Sequence, residues 1–194
     1  MHTIKLLTAG EPADWQFELA NAITSVDELL YALELEHIAN KFIRNSAFSL
    51  RVPRAFVNKM QKGNADDPLL RQVLPVRSEN KPCGLRDPVG DLNAMATPGL
   101  LHKYKGRVLL VTTGACAIHC RYCFRRHFPY SSSNPRINEW QQALEYLRTH
   151  DDIHEVILSG GDPLVLDNAK LDRLFTALEQ IPHIQWLRIH TRLP

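Results

Sequence analysis

From residue 107 onward, three short apolar runs (residues 108–112, 155–158 and 184–189) alternate with two amphipathic helical patterns, and that alternation restricts the fold more than any other feature of the chain. Residues 108–112 form an unbroken apolar run of the kind a strand covered on both faces requires. In the first helical stretch Trp140, Leu144 and Leu147 fall at i, i+4 and i+7, with Asn138 and Gln141 as the capping pair. Asp167 caps the second, which sets Leu171, Leu174, Phe175 and Leu178 on one face. Strand, helix, strand, helix, strand is the pattern of an α/β fold with a parallel sheet. Ligands of such sheets bind beyond the carboxyl ends of the strands. A cysteine-rich loop, a Gly-Gly loop and residues 190–194 follow the three strands in turn, so they are predicted to form one site.

The first hundred residues have a different texture, helical and irregular. Ser25 and Glu28 make a capping box, followed by Leu29, Leu30, Leu33, Ile38 and Phe42 at helical spacing. A weaker helix is expected over residues 15–23, and Pro53 stands where a helix over residues 54–62 could begin. Between residues 67 and 99 prolines and glycines recur (Pro68, Pro75, Pro82, Gly84, Pro88, Gly90), which predicts an extended linker packed on a surface. The expected division is therefore a helical region with its linker over residues 1–101 and a sheet-based core over residues 102–194. No repeat or low-complexity tract interrupts either.

Cys116, Cys120 and Cys123 form a Cys-x3-Cys-x2-Cys triplet within eight residues. Three thiolates on one short loop can hold three corners of a cubane iron–sulfur cluster and leave the fourth iron open to a small chelating ligand. The alternative is structural zinc with His119 or His127 as fourth ligand. Zinc sites, however, usually set two ligand pairs apart by a longer spacer, and no second pair follows here. Residues 1–8 lack the long apolar stretch of a secretory signal and no run is long enough to cross a bilayer, so the chain reads as cytoplasmic, with reduced thiols available as ligands. Cys83 stands alone and reads as a small packed side chain. With 23 basic and 21 acidic residues the net charge is +2, which excludes a general polyanion-binding surface and gives no case for nucleic acid.

Gly160 and Gly161 allow a close backbone approach, either to a ligand or simply within a strand-to-helix turn. Their loop has neither the spacing of a phosphate loop nor that of a dinucleotide fold. Ser159 and Asp162 are its polar members. Tyr122 offers an aromatic face, for stacking on a ligand or for packing. Arg125 and Arg126 carry forked donors suited to carboxylate or phosphate.

The triplet resembles the signature of the radical S-adenosylmethionine (radical SAM) enzymes. Together with residues 98–110, the Arg125-Arg126 continuation, residues 159–164 and residues 188–192, it resembles the lysine 2,3-aminomutase family. Residues 124–130 are most similar to the branch that makes (R)-β-lysine for modification of elongation factor P. The resemblance implies a 4Fe-4S cluster on Cys116, Cys120 and Cys123, with S-adenosyl-L-methionine chelating the open iron. Ser159, Gly160, Gly161 and Asp162 would lie at its methionyl end and Tyr122 near its adenine. It also implies L-lysine as substrate with its carboxylate on Arg125, pyridoxal 5'-phosphate as second cofactor, and a fold whose last three strands are the first β/α units of a partial (β/α)6 barrel. The family's pyridoxal-binding lysine and the acids that hold the substrate ammonium belong to a region after Pro194, so no catalytic residue is assignable here. The expectation is an N-terminal portion, inactive alone, whose open third strand favours self-association into a homo-oligomer. An aminomutase for another amino acid and a non-catalytic metal-binding module are the alternatives.

Overall fold

The computed structural model describes residues 14–44, 48–80, 84–133 and 140–193. Two compact units emerge, one comprising residues 1–82 with 117–123 and the other residues 83–116 with 124–194.

The first unit is built from short helices and turns. Helix α1 spans Asp14–Ala20 and α2 spans Val26–Ala32, with Ser25 Oγ accepting from the Glu28 N–H as the capping signal predicts. The apolar stripe after Ser25 does not continue as one helix. Glu34 takes a left-handed φ of 60°, and a separate 3-10 helix, Glu36–Lys41, follows. An interior residue in that conformation cannot propagate an α-helix, yet Leu29, Leu30, Leu33 and Leu35 all remain buried in the core. Ile23 and Phe42, read as helical, form isolated β-bridges to Val52 and Val76. Helix α3 is one turn, Arg54–Val57, with Pro53 just before it.

The first part of the stretch read as linker, residues 67–80, belongs to this unit and contributes to its core. Leu70, Val73 and Leu74 are buried, and 3-10 turns occupy Leu70–Gln72 and Arg77–Asn80. Asp67 organises the first turn: its carboxylate accepts from the backbone N–H groups of Gln61, Leu69 and Leu70 at 3.0, 2.8 and 2.9 Å. These bonds, that of Gln61 foremost and then that of Leu70, hold its carboxyl below the ordinary carboxylate value against the opposing effect of burial.

The second unit is a five-stranded sheet in the order β1 (Met95–Thr97), β2 (Leu100–Tyr104), β3 (Arg107–Thr113), β4 (Glu155–Gly160) and β5 (Trp186–Ile189). The three predicted strands are present and pair in parallel, β3 with β4 and β4 with β5. An antiparallel β1–β2 pair extends the sheet on the other side of β3. Helix α4 spans Tyr130–Ser133, α5 Gln141–Thr149 and α6 Asn168–Glu179. Asn138 lies outside the described residues. Trp140, with φ of 65°, precedes α5 and is buried, whereas Asp167 caps α6 through the Lys170 N–H as predicted.

Because side chains alternate along a strand, each sheet face has its own role. Val108, Leu110, Val156 and Leu158 share a core with Leu144, Leu147, Leu174 and Leu178 from the two crossover helices. The other face carries Leu109 and Ile157, only partly covered, along a cavity of about 230 Å³. At the amino ends of the strands the buried Glu155 carboxylate meets Arg107 at 3.3 Å and Arg188 at 2.6 Å.

Candidate functional site

Within the second unit, the segments that follow β3 and β4 are pressed together. The N–H of Gly161 donates to the Thr113 carbonyl at 2.7 Å and that of Asp162 to the Ala115 carbonyl at 2.8 Å. Gly160 has φ of +119°, and a Cβ on Gly161 would stand 2.1 Å from the Ala115 oxygen. No L side chain fits either position without moving backbone. The close approach that the glycines allow is thus to the segment leading into Cys116. Tyr130 completes the junction by donating its hydroxyl to the Gly160 carbonyl at 3.1 Å.

The polar members of the Gly-Gly loop have partners in this unit. Asp162 accepts from the Leu164 N–H, the Thr191 hydroxyl and the Arg192 N–H at 3.0, 2.7 and 2.7 Å, tying the segments after β4 and β5 together. Ser159 Oγ accepts from Arg125 Nη1 at 3.1 Å. Arg125 is 9% exposed, its Nε donates to Asp91 Oδ2 at 2.7 Å, and its guanidinium lies 4.8 Å from the Phe124 ring centre. A charge buried this far requires a paired, hydrogen-bonded partner, and Asp91 supplies it. Arg125, Asp91, Lys103, Tyr104 and Arg107 line the 230 Å³ cavity. Asp91 was not singled out from the sequence: a lone aspartate in a Pro/Gly-rich stretch has the signature of a turn former, and no local pattern announces its contact with a residue 34 positions away.

Within the first unit lies the rest of the cysteine loop, residues 117–123. Ala117 is buried and Ile118 packs on the core. The His119 N–H donates to the Arg51 carbonyl at 2.9 Å, and the Arg121 N–H to the Gln72 carbonyl at 2.7 Å. His119 Nδ1 donates to the Ser49 carbonyl at 2.7 Å. Burial holds this imidazole below its ordinary value, with the Arg51 charge adding and the Ser49 bond opposing. The Cys123 N–H closes a turn onto the Cys120 carbonyl at 3.0 Å. Tyr122 is 65% exposed, so its ring belongs to no core, and its hydroxyl donates to Gln72 Oε1 at 3.4 Å.

Cys116, Cys120 and Cys123 are half-buried, while Cys83 lies outside the described residues. Among the described residues no three His, Cys, Asp or Glu side chains stand together as a metal-holding group. The donor set nevertheless fits a cluster, with three soft thiol ligands within eight residues. Among the described residues no helix is long and apolar enough to cross a membrane.

Residues 110–194 match the Radical SAM superfamily. Over its whole length the chain is 48% identical to the L-lysine 2,3-aminomutase of Escherichia coli (strain K12), covering 57% of that protein. The L-lysine 2,3-aminomutase of Haemophilus influenzae is 46% identical over 95% of this chain, which covers 56% of it. That of Clostridium subterminale is 31% identical over 93% of this chain, which covers 45% of it. The chain thus spans about half the length of the curated relatives it matches. The superfamily match covers the stretch that carries the cysteine triplet, most of β3, and β4 and β5.

Proposed function

We propose that this chain is the cluster- and SAM-binding part of an L-lysine 2,3-aminomutase that converts L-lysine to (R)-β-lysine. The observation that carries this reading is the cysteine triplet on a segment that leaves the carboxyl end of β3 and is fastened there to the Gly-Gly loop after β4. The whole-length similarity to proteins of that name supports it. A three-thiolate cluster supplies an open iron site and an electron, the chemistry that reductive cleavage of S-adenosylmethionine requires.

The chain's own residues are assigned as follows. Cys116, Cys120 and Cys123 hold the cluster. Gly160 and Gly161 fix the height of the strand-end backbone, and Asp162 locks it to the segment after β5. Tyr122 presents an uncovered ring for stacking on adenine. Arg125, held by Asp91 and Ser159, keeps an end of its guanidinium for the lysine carboxylate. The cavity beside it, apolar but with Lys103 and Arg107 on its wall, suits the ring and phosphate of pyridoxal phosphate. The partial (β/α)6 barrel, a cytoplasmic setting and a product destined for elongation factor P complete the reading.

Anaerobic reconstitution with iron and sulfide tests it. The expected result is a brown protein that bleaches with dithionite and releases 5'-deoxyadenosine from S-adenosylmethionine. Alanine at Cys116, Cys120 or Cys123 is expected to abolish iron loading, and Cys83→Ala to preserve it. Full iron content without one of the three thiols would refute the ligand set, and a colourless zinc-loaded protein would refute the cluster.

A further inference from the structure

We propose that the first unit carries a binding pocket for a small organic phosphate. A cavity of about 450 Å³ opens on this unit, and four cations drawn from separate stretches of the sequence line it: Lys41, Arg71, Arg77 and Arg121. Its floor is apolar, with Phe42, Leu70 and Leu74 all buried beneath it. Small-molecule sites are commonly built this way, from apolar walls with a few convergent polar groups and a volume of about 300–1,000 Å³.

Like charges gathered on one concavity repel each other, so the arrangement is unfavourable unless something offsets it. Two carboxylates do so in part. Glu79 pairs with Arg121, and Asp66 lies 3.7 Å from Arg71 with both side chains mostly exposed, a contact worth about 0–1 kcal/mol. Neither Lys41 nor Arg77 has an acidic partner among the described residues. The whole chain carries a net charge of only +2, so this excess is local.

Forked guanidinium donors match carboxylate and phosphate alike, but one fork already fills one carboxylate. A tetrahedral phosphate presents three oxygens and can accept from several donors at once. Two exposed guanidiniums and an ammonium around one concavity therefore favour a phosphate ester whose flat or apolar body rests on the floor. Arg121 also pins the cysteine loop to this unit, through its N–H on the Gln72 carbonyl and its guanidinium on the Arg71 carbonyl. A phosphate bound at its rim therefore tightens the segment that carries Cys120 and Cys123.

Titration calorimetry of the purified chain at low salt tests this with adenosine monophosphate, and with citrate as the carboxylate control. Adenosine monophosphate is expected to bind at least about tenfold more tightly than citrate. Arg77→Glu should weaken it by at least about tenfold and Lys41→Gln by less, whereas Arg44→Glu, an exposed cation outside the cavity, should leave it unchanged. Both pocket substitutions fall on exposed side chains, and circular dichroism verifies that the fold persists. Exchange of the Arg121 amide hydrogen should slow when adenosine monophosphate is present. No binding at millimolar concentration, citrate binding as tightly, or full affinity in Arg77→Glu would each overturn the proposal.

Discussion

Arg125 and Asp91 show how a buried charge shapes what a single substitution does. Asp91→Ala leaves a guanidinium in a low-dielectric site with Ser159 as its remaining hydrogen-bond partner among the described residues, which should destabilise the fold by about 3–5 kcal/mol. Replacing both, as Asp91→Leu with Arg125→Met, removes the stranded charge, so the double variant should denature at higher denaturant concentration than Asp91→Ala alone. Chemical denaturation of the three proteins decides it, and a double variant no more stable than Asp91→Ala would show that the stranded charge is not the cause. Asp67 gives a pH-dependent counterpart. Its folded-state value is depressed, so its contribution is present above the ordinary carboxylate value of 3.8 and fades as pH falls through the lower folded value. Asp67→Ala should lose about 1–2 kcal/mol at pH 7, and the gap to the unmodified protein should narrow as pH falls below 3.8. Denaturant titrations at several pH values check this; a gap that stays constant would remove the charge from the explanation.

At the scale of elements, the junction between the segments after β3 and β4 is where local rules and tertiary packing meet. A Cβ at Gly161 would overlap the Ala115 carbonyl, so Gly161→Ala should lower stability by about 1–3 kcal/mol even without any cofactor. It should also impair iron loading, because the same backbone leads into Cys116. Thermal melts of the cofactor-free protein separate this from a purely ligand-contacting role, which would leave the melt unchanged. The periodic elements were legible beforehand: Asp167 and α6, the apolar faces of α5, and the parallel strands at residues 107–113 and 155–160 all follow from caps and alternation. The β1–β2 hairpin was not. Leu-Leu-His-Lys-Tyr at residues 100–104 has too little alternation to declare a strand, and it becomes one by hydrogen-bonding antiparallel to β3. The break at Glu34 was equally hidden, because the leucines on either side keep helical spacing while the backbone between them turns.

At the scale of the whole molecule, β5 stands at the edge of the sheet with all four residues exposed, Trp186 at 66%. An apolar edge strand is a template for pairing with another chain. The protein should therefore self-associate as concentration rises, and Leu187→Lys with Ile189→Lys should suppress it. Sedimentation velocity over a concentration series measures both, and a monomer at all concentrations would show that the edge is protected. The sequence by itself determined an α/β sheet with three parallel strands and a triplet of cysteines within eight residues, because strand and helix periodicity, caps and residue spacing are all local and need no knowledge of distant contacts. Only the tertiary structure decided that Asp91 meets Arg125, that Gly161 lies against Ala115, and that Lys41, Arg71, Arg77 and Arg121 share one cavity. Those relations join residues tens of positions apart, and packing energies bring them together without leaving any periodic trace in the chain.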